Sequence, residues 1–322
     1  MADQTYVCYL CLSANTNFIG RNIDFDTGIY ICNDCGLIQN DFVSSPYLDH
    51  YYHKKYREVR KESINDKYLE FMSLRAKSQH EFIMKNLPES ILMKSVLDIG
   101  AGAGKLLEVF IPKTKTYAVE SDAAMVAHME KNEAITIVNE ATLFEEENNG
   151  KFDLITLSHV FEHINNPLEY LYKLHKIVSD EGYIFLEVPN EPVHLISHHV
   201  KKKKKGIGHL FDYTVDTLRQ MIDKSSLFEV LALTTYSVSV ADYLKGASIR
   251  NFEENKCGDG IHIRCMLKKL RSNTQHKEYQ YVDAVLQSQY RRQMLNEKRI
   301  EMALLGFEKI KETLGKAKSY IS

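Results

Sequence analysis

The chain carries no excess of basic residues: 41 Lys and Arg stand against 43 Asp and Glu, a formal net charge of −2. That balance excludes a protein that grips nucleic acid through bulk positive charge and leaves only local basic patches. No run approaches the roughly 18 apolar residues that would cross a membrane, so no transmembrane helix is expected. The opening MADQTYVCYL lacks a basic stretch followed by an apolar one, so we expect no secretory signal and a cytoplasmic protein. Cysteine is scarce, six in 322 residues. In a reducing compartment, paired cysteines point to metal or redox chemistry rather than to structural disulfides. No internal repeat is present. The length predicts about two domains, and 44% hydrophobic residues suffice for a sizeable core.

Four sections follow from the patterning. Residues 1–45 hold four of the six cysteines. Residues 46–90 carry a helical, tyrosine-rich pattern closed by Pro88. Residues 91–270 alternate short apolar runs with helical stretches. The runs are 95–99, 116–120, 134–138, 152–157, 183–188, 228–234 and 261–267. They predict an α/β domain with a seven-stranded, mostly parallel Rossmann-like sheet, the last two strands closing it as an antiparallel hairpin. Residues 271–322 predict a C-terminal helical tail with ten basic and six acidic residues. That tail packs on the body, pairs two copies into a homodimer, or holds RNA.

Cys8-x2-Cys11 and Cys32-x2-Cys35 are two knuckles that can place four thiolates around one tetrahedral ion, and Zn²⁺ favours soft sulfur in that geometry. Four protein ligands leave no open position for water. The zinc is therefore expected to be structural, clamping a segment too small to hold itself together. Cys257 and Cys265 lack this spacing and are expected to be inert.

The run Val96-Leu97-Asp98-Ile99 ends in Gly100-Ala101-Gly102-Ala103-Gly104 and leads into a helix near Lys105. Glycines let backbone approach a ligand at the head of a helix. The dinucleotide fingerprint G-x-G-x-x-G would need its third glycine at 105, where Lys105 stands. The acid ahead of the loop would also repel a diphosphate. Glu120 ends the next run, where a carboxylate can accept both hydroxyls of a ribose. An adenosine ligand with a sulfonium and a zwitterionic tail, S-adenosylmethionine, fits this set best.

At these residues the chain resembles the class I S-adenosylmethionine-dependent methyltransferases, over about 95–270. The resemblance implies that Asp98, Gly100, Gly102 and Gly104 hold the methionine part and that Glu120 takes the ribose. It implies that Glu140 and Ala141 edge the adenine, with Glu140 where the family has an aspartate. It also implies that the segment from Ser158 and His159 to Glu162 and His163 lines the cofactor and faces the substrate. With its cysteine module the chain is similar to zinc-carrying methyltransferases that modify nucleotide-linked sugars and other precursors of bacterial surface polysaccharide. His209, Tyr213 and Thr214 match a segment of those enzymes, but Gly208 stands where many have a glutamate.

Transfer to an alcohol needs a proton acceptor, and histidine is the natural base. His209 and His163 are the candidates, with His159 nearer the cofactor's amino end. Residues 190–212 also carry His194, His198, His199 and Lys201 to Lys205. They form either a lid over a phosphorylated or nucleotide-linked small molecule or a solvated loop. Tyr47, Tyr51, Tyr52 and Tyr56 cover the cofactor or pack the linker. The expected function is O-methylation of such a small molecule, with nucleic acid not the expected partner. Alternatives are a zinc-module RNA methyltransferase, a sugar C-methyltransferase, and a protein that binds cofactor without turnover.

Overall fold

The computed structural model describes residues 6–22, 24–41, 43, 47–48, 51, 64–190, 208–238, 252–255 and 260–271. His194, His198, His199, Lys201 to Lys205, Tyr52, Tyr56, Cys257 and the tail beyond 271 lie outside the described residues. Among the described residues, no helix is long and apolar enough to cross a membrane.

The larger sheet is built from β4 (Ser95–Ile99), β5 (Lys115–Val119), β6 (Ile135–Ile137), β7 (Phe152–Ser158), β8 (Val178–Pro189), β10 (Phe228–Val238), β11 (Phe252–Asn255) and β12 (His262–Lys269). Its order is β6-β5-β4-β7-β8-β12-β10-β11. Pairings from β6 to β8 are parallel, and those of β12 with β8 and of β10 with β12 and β11 are antiparallel. The sheet thus has eight strands, not the expected seven. The extra one, β11, reads Phe-Glu-Glu-Asn, and only Phe252 in it is buried. An acidic four-residue edge strand carries no apolar alternation by which a sequence could reveal it.

Strand β4 is buried along its whole length, as a central parallel strand must be. One face of the sheet packs on α1 (Asp66–Lys85) through Ala76, Phe82 and Ile83 and on α2 (Lys105–Glu108) through Leu106 and Leu107. Helix α4 (Pro167–Ile177) buries Leu168, Leu171, Leu174 and Ile177, and packs against α5 (Val215–Ser225). Local signals start these helices. Asn65 accepts from Tyr68 N at α1, Asn166 followed by Pro167 opens α4, and Thr214 with Thr217 forms a capping box at α5. Helix α3 (Ala123–Met129) starts on Asp122, which accepts from Ala124 N and Met125 N. Strand order reverses at β4, so the ligand crevice lies beyond the carboxyl ends of β4, β5 and β7.

The second sheet joins β1 (Thr16–Asn22), β2 (Thr27–Cys32) and β3 (Ile38–Asn40) to β9 (Phe211–Asp212). Its fourth strand therefore comes from the segment just after His209. Ile38 pairs with Asp212, and Gln39 with Phe211. Asn40 N donates to Leu210 O at 2.8 Å, and Asn40 Nδ2 donates to His209 O at 2.5 Å. Gly208 N donates to Asp24 Oδ2 at 2.9 Å. Tyr9 adds a second anchor: its hydroxyl donates to Asn166 and accepts from Leu168 N at the head of α4. Tyr51 is buried with its ring edge on Phe25, and Tyr47 meets the same ring, so both pack the cysteine module.

The buried amide of Asn40 holds two carbonyls of the His209 segment. Its loss removes these two buried bonds, at about 1–3 kcal/mol together, while Leu210 O keeps the Asn40 N–H and His209 O keeps Asn22 Nδ2. Asn40→Ala should therefore lower stability by that amount in denaturant titration. Asn17→Ala, which removes an exposed bond to Asn33, should change it by less than about 0.5 kcal/mol.

Candidate functional site

The turn after β4 is tied to β5 by its backbone. Val119 O accepts from Gly100 N at 2.8 Å and from Ala101 N at 3.1 Å. Gly100 has φ of +71°, and a Cβ there would lie 2.4 Å from Val160 Cγ2. Both facts require glycine. Glu120 reaches over the loop: Gly102 N donates to its Oε2 at 2.7 Å, and Asp122 N donates to its Oε1 at 2.8 Å. Each carboxylate oxygen has a second lone pair, so the group can still accept a pair of hydroxyls.

Asp98 is buried beneath this turn, where Thr156 Oγ1 donates to its Oδ1 at 2.7 Å. Burial pushes its carboxyl up to about 7; Glu120 adds to the rise, while Thr156 and Arg75 oppose it. A buried acid beside a bare-backbone turn and a second acid favours a cationic, hydroxyl-bearing ligand and disfavours a diphosphate. These residues fit S-adenosylmethionine.

Parallel pairing of β4 with β7 brings Ser158 and His159 to the same crevice. Ser158 Oγ accepts from Arg75 Nη2 at 3.0 Å and from Gln79 Nε2 at 2.8 Å. His159 stands in the left-handed region, φ +57°, with its N–H on Glu187 O at 2.8 Å and its Nε2 3.1 Å from His262 Nδ1. Burial holds its imidazole well below the usual range, with Arg75 and His262 acting in the same direction. Glu140 and Ala141 sit in an exposed turn of 3-10 helix after β6, two strands away from Asp98, with Asn139 Oδ1 accepting from Ala141 N.

The two candidate bases come together. The His163 and His209 rings lie 4.9 Å apart in a T-shaped arrangement. Between them stands Glu162, 1% exposed, with Oε1 at 3.8 Å from His163 Nε2 and 3.7 Å from His209 Nε2. His163 Nδ1 meets Gly208 O at 2.9 Å, and His209 Nδ1 lies 3.4 Å from Asp212 Oδ1. Glu162 thus places a carboxylate beside His209 from a different element, although Gly208 precedes the histidine.

Sequence reading missed the floor of this site. Glu187, fully buried at the end of β8, accepts from Arg75 Nε at 2.8 Å, Gln79 Nε2 at 3.0 Å and Arg264 Nε at 2.5 Å. Burial alone would raise its carboxyl; Arg75, Arg264, His262 and His159 outweigh that and hold it well below the usual range. Only the combination of apolar strands with an interior glutamate and an arginine, Glu187 and Arg264, could have signalled an ion pair.

The four cysteine sulfurs lie within 4.8 Å of one another, with Cys8 to Cys35 at 3.5 Å and Cys11 to Cys32 at 3.4 Å. Disulfide sulfurs would be about 2.05 Å apart. A zinc ion with bonds of about 2.3 Å sets its tetrahedral sulfur edges near 3.8 Å, so the donors fit zinc. Cys265 is buried on β12, far from such a set in sequence and alone in its strand.

Residues 64–234, more than half of the chain, match the family described as a methyltransferase domain. The chain belongs to that family. It is an S-adenosylmethionine-dependent methyltransferase. Among solved structures it is similar to an S-adenosylmethionine-dependent methyltransferase of Thermotoga maritima, at 18% identity over 69% of this chain and 100% of that one, with a TM-score of 0.49. A methyltransferase of Archaeoglobus fulgidus gives 16% identity over 68% and 100%, with a TM-score of 0.45. One of Listeria monocytogenes gives 13% over 62% and 99%, with a TM-score of 0.47. No curated protein matches the methyltransferase.

Asp98 sets a testable trade-off. Its folded pKa lies above its unfolded value, so its contribution to stability is complete below about pH 4 and lost as pH rises through about 7. Three units correspond to about 4 kcal/mol. Asp98→Asn should therefore melt higher than the parent at pH 8 and close to it at pH 4. It should also bind S-adenosylmethionine more weakly, and the parent's affinity should fall on acidification through about pH 7. Calorimetry across pH measures both.

Proposed function

We propose that this methyltransferase O-methylates a small activated sugar or phosphorylated metabolite used in surface-polysaccharide synthesis, with His209 as the base. The single observation that carries the reading is the pairing of His209 and His163 around buried Glu162, beside the methyl-donor crevice. The cofactor, when bound, supplies an electrophilic methyl group on a cationic sulfur.

The chain's own residues account for the rest. Asp98, the glycine turn and Glu120 bind the donor and orient it. The charge of Asp212, 3.4 Å from His209 Nδ1, favours the hydrogen on that nitrogen and leaves Nε2 to take the hydroxyl proton. The imidazolium so formed lies between Glu162 and Asp212, whose charges stabilise it. Such a base is worth roughly 10²–10⁴-fold in rate. Lys201 to Lys205, in the connection between β8 and β9, support an anionic acceptor by their charge. A second reading, transfer to carbon, is supported by Glu162, since a carboxylate at His209 strengthens the base that Gly208 would otherwise weaken.

In this reading Cys8, Cys11, Cys32 and Cys35 hold one structural zinc. Its effect on catalysis runs through the pairing of β3 with β9, which carries the His209 segment.

His209→Ala should lose at least tenfold in kcat while S-adenosylhomocysteine affinity changes by less than twofold; unchanged turnover removes His209 from the chemistry. Nucleotide-sugars and phosphorylated metabolites screened by mass spectrometry should show the gain of one methyl group, with NMR telling an O-methyl from a C-methyl product. Metal analysis should give one zinc per chain that is lost when Cys32 and Cys35 are both replaced by serine. Chelation should lower the melting temperature and turnover more than it lowers S-adenosylhomocysteine affinity, because the donor loop hangs on β4 and β5 instead.

A further inference from the structure

Glu162, His163 and His209 are arranged in a way that proton transfer alone does not require. A backbone carbonyl only accepts, so the contact of His163 Nδ1 with Gly208 O fixes that ring's hydrogen on Nδ1. The Asp212 carboxylate lies 3.4 Å from His209 Nδ1 and favours a hydrogen on that nitrogen by its charge. The Nε2 atoms of both rings lie near Oε1 of Glu162, at 3.8 and 3.7 Å. Those separations are too long for hydrogen bonds. They are close to the spacing of neighbouring ligands on one ion: bonds of about 2.0–2.2 Å at tetrahedral angles set donors roughly 3.4 Å apart.

Three such donor atoms gathered within 4.8 Å of one another can hold a positive charge among them. A protonated imidazole supplies one such charge, and a metal ion supplies another. The contact of His163 Nδ1 with Gly208 O is that of a metal site, in which a ligating imidazole donates its other N–H to a carbonyl or carboxylate. The carboxylate has its own support, with His159 Nδ1 at 3.3 Å from Glu162 Oε1. Burial of Glu162 and His209 removes competing water. Two imidazoles and one carboxylate suit Zn²⁺, Co²⁺ or Ni²⁺ rather than Mg²⁺ or Ca²⁺.

We propose that Glu162, His163 and His209 bind one divalent transition-metal ion, separate from the cysteine site. The ion inhibits methyl transfer because it occupies the Nε2 lone pair of His209; that consequence, though not the binding, rests on His209 acting as the base.

The test is a Co²⁺ titration of the full chain with its cysteine site loaded with zinc. One further Co²⁺ per chain should bind, with visible d–d bands and without near-ultraviolet thiolate charge transfer. Glu162→Gln and His163→Ala should each weaken that binding at least tenfold while keeping S-adenosylhomocysteine affinity. The isosteric Glu162→Gln decides if His163→Ala does not fold. No added Co²⁺ in the parent, thiolate bands instead, or equal binding in the folded variants overturns the site. The two ideas also fail separately. Co²⁺ bound while His209→Ala retains full turnover ends the base assignment and leaves the metal site. Lost turnover in His209→Ala with no Co²⁺ bound does the reverse.

Discussion

The buried carboxylate of Glu187 is the point on which the site's geometry depends. It is fully enclosed, and a lone charge there would be prohibitively costly. Arg75 comes to it from α1, Arg264 from β12, and Gln79 from one turn further along α1. Two elements distant from it in sequence, α1 and β12, are thereby fixed to the end of β8. Arg264 is itself held by Ser78 and lies with its guanidinium carbon 3.9 Å from the centre of the Tyr236 ring. Removing any one partner strands charge in the interior, which is far more damaging than never having buried the pair. The same contacts orient Ser158 and the left-handed His159, so the ion pair that anchors the N-terminal helix also shapes the floor of the donor crevice.

A second constraint acts from the other side. The cysteine module reaches the methyltransferase body through backbone hydrogen bonds and through amide side chains that hold the His209 segment. A hydrophobic contact could slide; a strand pairing with defined register cannot shift by one residue without turning its side chains over. The segment bearing the candidate base thus takes its position from residues near Cys32 and Cys35 as well as from its own flanks.

Much of this was legible in the sequence. The apolar runs located the parallel strands because buried strands cannot hide their composition, and the acid-glycine-acid set marked a turn that Glu120 does meet, through Gly102 N. The cysteine pairs come together as their spacing predicts. What escaped was long-range and polar. Arg75 lies in a helix with no motif, and its partner is over a hundred positions away. Glu162 sat inside a recognised segment, yet its role depends on His209, which only tertiary structure brings near. Strand β11 was lost because an edge strand needs no apolar pattern. The connection at 191–207 and the tail beyond 271 lie outside the described residues.

The pairing of Ile38 with Asp212 has a consequence for biosynthesis. Its two halves leave the ribosome about 170 residues apart, a delay of roughly 10–35 s at ordinary translation speeds. During that interval the edge of β3 that β9 later covers stays open on the nascent chain.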